Sequence, residues 1–132
     1  LLDRIDLHVE VTPVSYDELS NHEYTAETSE QIVERVIRAR ELQNKRFSDQ
    51  VGIFCNAQMP SRMVRDVCQL TPAGANLLKT AMSRLQLSAR AYDRILKVAR
   101  TGADLAGSED IKIEHLAEAI QYRSLDREGW AG

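Results

Sequence analysis

Residues 5–11, Ile5-Asp6-Leu7-His8-Val9-Glu10-Val11, alternate apolar and polar without a break before Pro13. A period of two places one set of side chains on each face of an extended chain, so this stretch predicts a half-buried β-strand. It is the only convincing strand pattern in the sequence; Val51-Gly52-Ile53-Phe54-Cys55 is apolar but short and reads as a loop or weak extended segment. One strand cannot satisfy its own backbone groups. Together with an opening Leu1-Leu2-Asp3-Arg4 that lacks an initiator Met, this leads us to expect a sheet whose other strands belong to a longer polypeptide.

From Thr28 onward the period changes to that of helices. Thr28 with Gln31 three residues on is a capping box, and the helix it opens should run to about Phe47 with Ile32, Val33, Val36, Ile37 and Ala39 inward. Glu34–Arg38 and Glu41–Lys45 support its exposed face as i,i+4 pairs. A short helix is expected from Pro60 or Ser61 to about Gln69, with Met63, Val64, Val67 and Cys68 inward. Thr71-Pro72 is a strong start signal for a helix to about Leu85 carrying Leu77, Leu78, Ala81, Met82 and Leu85. Ser88 caps the next, which stops near Ala106 before Gly107. The last should span about Glu114 to Tyr122, with Leu116, Ala117 and Ile120 buried. The expected fold is therefore mainly α: one strand in residues 1–13, a polar and acidic linker over 14–27, and about five helices in 28–132.

Composition narrows the class. At 132 residues, with 43% apolar and 28% charged content, the chain has one domain's worth of core. No apolar run approaches the ~20 residues of a membrane span. A net charge of -3 opposes wrapping nucleic acid with the whole surface, though a local basic face remains open. Cys55 and Cys68 lie outside any metal-binding spacing, and such sparse cysteine use fits a reducing compartment, with the cytoplasm as expected location. His8, His22 and His115 have no second ligand at metal spacing, so no metal site is expected. GxSxG, GxxxxGK[ST] and GxGxxG are all missing, so the chain carries no self-contained catalytic motif.

On the helix after Ser88, Tyr92, Ile95, Ala99, Gly102, Ala103 and Ala106 fall on one side, whereas Arg90, Arg94, Lys97 and Thr101 gather on the other. Periodicity alone makes this a solvated basic face. Arg90, however, falls in the first turn, where free N–H groups and the helix dipole favour an anion and an arginine fork suits phosphate. Arg4, flanked by Asp3 and Asp6, is the second candidate; taken alone it reads as a locally paired surface arginine. Trp130 stands in a small, polar tail.

Several blocks of the chain resemble one family. Leu1-Leu2-Asp3-Arg4-Ile5-Asp6-Leu7-His8-Val9-Glu10-Val11, Asn56-Ala57-Gln58, the run from Leu87-Ser88-Ala89-Arg90 to Thr101, Ala103-Asp104-Leu105-Ala106-Gly107 and Ala117-Glu118-Ala119-Ile120-Gln121-Tyr122-Arg123 are similar, in this order, to the magnesium chelatase-like AAA+ ATPases of the competence-associated ComM type. The resemblance covers nearly the whole chain outside residues 13–27 and the tail after Arg127. It implies the C-terminal part of such an ATPase, with residues 1–13 as the last strand of the α/β core and 28–132 as its α-helical lid. By the same resemblance Arg4 takes the place of the arginine finger that reaches the γ-phosphate in a neighbouring subunit, and Arg90 that of the sensor-2 residue touching its own subunit's nucleotide. ATP and Mg2+ would serve the full-length parent, whose nucleotide-binding loops lie upstream; the fragment alone would bind neither and would be inactive. Its partners would be neighbouring subunits in a ring, a hexamer, with DNA as the material worked on and no membrane. Gly102 departs from the family pattern, which leads us to expect isoleucine there. Two other readings stand beside this one: a non-catalytic helical interaction or DNA-binding module using Arg90, Arg94 and Lys97, and a true magnesium chelatase acting on a porphyrin.

Overall fold

The helix starts follow from local side-chain chemistry. In the computed structural model, which describes residues 4–21 and 26–123, the Thr28 hydroxyl accepts from the Gln31 N–H at 3.2 Å while the Gln31 side chain accepts from the Thr28 N–H at 2.9 Å. Both orphan donors of that helix start are thereby satisfied. Thr71 caps the Gly74 N–H at 3.1 Å and Ser88 caps the Ala91 N–H at 3.2 Å. The resulting helices are α1 (Tyr16–Ser20), α2 (Ser29–Arg46), α3 (Ser61–Val67), α4 (Pro72–Leu85), α5 (Ala89–Leu105) and α6 (Ile113–Gln121), with a 3-10 turn at Asn56–Gln58 before α3.

α5 is the axis of the bundle. It packs against α2, α3, α6 and the 3-10 turn, and α4 completes the body against α6. On its buried side, Ile95, Leu96, Ala99 and Ala103 join Val64 of α3, Leu78 of α4 and Leu116 of α6 in one apolar cluster. Small residues at Ala99 and Ala103 let neighbouring elements approach closely. The larger ones supply most of the driving force, at about 1.5–3 kcal/mol for each fully buried aliphatic side chain. At the far end of α5 the chain turns through Gly107 with φ +70°, and the Ser108 N–H donates back to the Ala103 carbonyl at 2.8 Å. That closure needs a left-handed residue, which glycine adopts without strain.

Four features depart from the sequence expectations. The described residues contain no β-strand: residues 5–11 have irregular backbone, and only His8 among them is buried. The alternating pattern specifies a strand only if a sheet edge is there to pair with, and these described residues offer none. The expected linker contains the one-turn helix α1, closed by a capping box between Ser15 and Glu18. On α2 the inward face is right in direction but only half occupied. Ala39 and Gln43 are buried, whereas Ile32, Val33, Val36 and Ile37 stand 43–52% exposed, so burial falls on the second half of the helix. On α6 Ala119 rather than Ala117 faces the core beside Leu116; similarly Ala106, at the end of α5, is exposed.

Candidate functional site

The two candidate arginines stand on different elements. Arg4 is exposed at the start of the described chain and makes no ion pair among the described residues. Arg90 occupies the first turn of α5, directly after the Ser88 cap, and is also exposed. With Ser88 capping the Ala91 N–H, the Arg90 guanidinium is left free to extend from a helix start whose dipole favours an anion.

The other members of the basic face are committed. Arg94 forms an ion pair with Asp6. The Lys97 ammonium donates to the Ala57 carbonyl at 3.1 Å. The Thr101 hydroxyl donates to the Lys97 carbonyl at 2.8 Å and accepts from the Asn56 side-chain amide at 3.1 Å. Of Arg90, Arg94 and Lys97, only Arg90 therefore makes no hydrogen bond or ion pair among the described residues. A solvated stripe would leave all three free; here one remains available to a ligand.

The segment that carries Arg4 is tied to the helical body at three successive points. The Arg123 guanidinium donates to the Ile5 carbonyl, Asp6 pairs with Arg94, and the His8 N–H donates to the Tyr122 carbonyl at 2.8 Å. Between this segment, α5 and α6 lies a cavity of about 350 Å³, lined among others by Leu7, Val98, Gly102, Leu105, Ala119 and Tyr122. Gly102 helps to open it, since a methyl group placed there would meet nothing within 4 Å.

Sequence reasoning missed the polar centre of the molecule. Arg46, from the end of α2, donates to both carboxylate oxygens of Asp104 in α5 and also to the Asn56 side chain. Asn56 donates to the same carboxylate at 2.9 Å, and its backbone N–H donates to the Gln43 side chain. Arg100, one turn before Asp104, lies 3.3 Å from it and donates to the Ser108 and Glu109 carbonyls. Burial works to raise the Asp104 pKa; hydrogen bonds from Arg46 and Asn56 and the charges of Arg46 and Arg100 outweigh it and hold the carboxylate below its ordinary range. The i,i+4 spacing of Arg100 and Asp104 was a readable signal for one pair. Arg46, in the last turn of another helix, carries no comparable local signal, since a basic residue there is favoured by the helix end alone.

The histidines do not converge. His8 and His115 are buried, and the His115 imidazole accepts from the Lys112 N–H at 3.0 Å, its place at the start of α6. His22 and Trp130 lie outside the described residues. No group of three or more His, Cys, Asp or Glu among the described residues could hold a metal ion, and no helix among them is long and apolar enough to cross a membrane.

Comparison with known proteins agrees with this architecture. The chain is 42% identical to the competence protein ComM of Haemophilus influenzae over 96% of its own length. Over the same share it is 40% identical to the uncharacterized protein YifB of Escherichia coli and 38% identical to that of Salmonella typhimurium. In each case it spans 24% of the relative's length. Residues 26–123, which hold α2 to α6 and the whole polar centre, match the family described as the C-terminal domain of the magnesium chelatase protein ChlI, and the chain belongs to that family of magnesium chelatase-like AAA+ proteins.

Proposed function

We propose that this chain is the helical lid of a ring-forming ATPase of the relatives' length, in which Arg90 contacts the nucleotide of its own subunit and Arg4 reaches the γ-phosphate held by a neighbour. The observation that carries this reading is the state of Arg90: exposed in the capped first turn of α5 and without a protein partner among the described residues, while Arg94 and Lys97 on the same face are engaged. A guanidinium so placed offers a fork to phosphate oxygens at a helix start that already favours negative charge. Phosphoryl transfer is accelerated mainly by positive charge held where charge builds up, and an arginine supplied by a partner can be worth ~10³-fold or more.

ATP and Mg2+ fit this surface unequally. The Arg90 guanidinium suits a phosphate. No carboxylate cluster among the described residues suits the cation, so the metal would arrive with the nucleotide and be held by residues outside this chain. What the chain contributes is charge and movement. Closing α5 over nucleotide and reopening after hydrolysis would turn chemistry into motion of the ring, a hexamer, against DNA, in keeping with a relative named for competence. The commitment of Arg94 and Lys97 to internal partners makes an independent DNA-binding face the weaker reading.

The test is ATP hydrolysis by a full-length protein that carries this segment. Arg94 is unsuitable as a charge control because it holds Asp6; Arg65, exposed on α3, is suitable. Arg90→Ala is expected to lose tenfold or more of turnover and Arg65→Ala less than twofold. Full turnover in Arg90→Ala would overturn the assignment.

A further inference from the structure

We infer that Arg123 is a positioning residue for Arg4, gripping the backbone next to it so that the lid carries the arginine as it moves; this rests on the lid reading above. Arg123 follows closely on the end of α6, and it is 0% exposed. Burying a guanidinium opposes folding unless its donors are used. Here it donates to the carbonyl of Ile5, the residue immediately after Arg4. The carbonyl of its neighbour Tyr122 accepts from the His8 N–H at 2.8 Å, so two consecutive residues of the helix end hold the segment at both ends of a four-residue span. The Asp6–Arg94 pair adds a third point between them, on the helix whose first turn carries Arg90.

Hydrophobic burial does little to hold this segment. Ile5, Leu7 and Val9 are 45%, 47% and 62% exposed. With these apolar side chains about half exposed and no sheet ladder among the described residues, the segment's attachment to the body leans on its polar contacts. Arg123 is the most deeply buried of the side chains that make them. A lysine in its place would keep the charge but not the planar fork that reaches the carbonyl while lining the buried site. The consequence falls one residue away, on the direction in which Arg4 points.

The experiment pairs two readouts in the full-length protein. Arg123→Lys is expected to speed amide hydrogen exchange at residues 5–9 while leaving α4 and α5 protected. It is expected to lower kcat for ATP hydrolysis about tenfold with KM changed less than twofold. Combined with Arg4→Lys, it should slow turnover no further than Arg4→Lys alone, because both changes remove the same placement. Unchanged exchange at residues 5–9, undiminished kcat, or a loss that multiplies with that of Arg4→Lys would overturn the positioning role while leaving the lid reading intact. Full turnover in Arg4→Lys and Arg4→Ala would remove the role of Arg4 itself, and the positioning role with it. Should Arg123→Lys melt far below the parent, Arg94→Gln, which frees Asp6 from a half-exposed site, is put through the same comparison with the same expected pattern at smaller amplitude.

Discussion

Arg46 and Asp104 lie 58 residues apart in the chain and meet in a two-point ion pair, with guanidinium nitrogens 2.9 and 2.7 Å from the two carboxylate oxygens. The pair joins the end of α2 to the last turn of α5, and Asn56 and Arg100 close around the same carboxylate. Such a centre is unforgiving of partial removal. Asp104→Ala would leave two guanidinium groups facing each other in a largely buried site, and breaking a buried pair from one side costs about 3–5 kcal/mol. Urea unfolding of the 132-residue chain should show a loss of that order, a large fraction of the stability of a domain this size.

The same carboxylate should govern acid stability. Its pKa is depressed in the folded protein, the hydrogen bonds and charges of its partners outweighing burial. A depressed acid stabilises the fold fully above its ordinary unfolded value, about 4, and that contribution fades as pH falls through the lower folded value. Stability attributable to Asp104 should therefore be level near neutrality and decline in the window below about pH 4. An Asp104→Asn variant, less stable near neutrality, should show a shallower decline with acid when unfolding midpoints are followed from about pH 7 to about pH 2.

Helix existence and helix starts were legible in the residues because they depend on neighbours three or four positions away. Thr28, Thr71 and Ser88 cap where their hydroxyls predict. What the sequence could not supply was information about distant partners. The 5–11 alternation encodes a strand only relative to a sheet, and the body instead offers Arg123, Arg94 and Tyr122 as polar contacts. The basic stripe was visible as a stripe, yet only the fold decides that Asp6 takes Arg94 and the Ala57 carbonyl takes Lys97. The placement of Arg90 was therefore readable, and its isolation was not.

Where the family resemblance leads us to expect isoleucine, a glycine at 102 would weaken packing if the site were filled by a buried side chain. In the fold it is half-buried on the rim of the cavity, and a Cβ there would touch nothing within 4 Å. Only the helical penalty of glycine remains, about 0.5–1 kcal/mol relative to alanine. Gly102→Ala should therefore stabilise the chain by that amount, seen as a higher urea midpoint with unchanged slope. A decrease would mean that the cavity closes against α5 in solution.

The two thiols should differ sharply in reactivity. Burial pushes the Cys68 pKa up to about 11, and the nearby charges of Arg100 and Arg46 offset this only in part. At about pH 8 its thiolate fraction is then on the order of one in a thousand, behind 3% exposure. Cys55, in the connection before α3, is half-buried. Alkylation of the native protein followed by mass spectrometry of peptides should find Cys55 modified first, with Cys68 protected until denaturant is added.

The first half of α2 offers the clearest separation between residue type and structural role. Ile32 and Val36 lie on the same helix face as the buried Ala39 and Gln43, yet each stands 43% exposed. Apolar surface that stays in water when the chain folds contributes little to folding, whatever its hydropathy. Ile32→Ser and Val36→Ser should accordingly shift the unfolding free energy by less than about 1 kcal/mol. Leu78→Ala, in α4, removes a side chain that is 2% exposed and surrounded by the core cluster, and should cost about 2–5 kcal/mol. Paired urea titrations of the three variants give the comparison directly. A loss at Ile32 matching that at Leu78 would mean that the stripe is covered when the chain is in solution. A small loss confines the cooperative core to the region around α5, and it leaves the start of α2 to its Thr28 capping box and the Arg35–Glu27 ion pair.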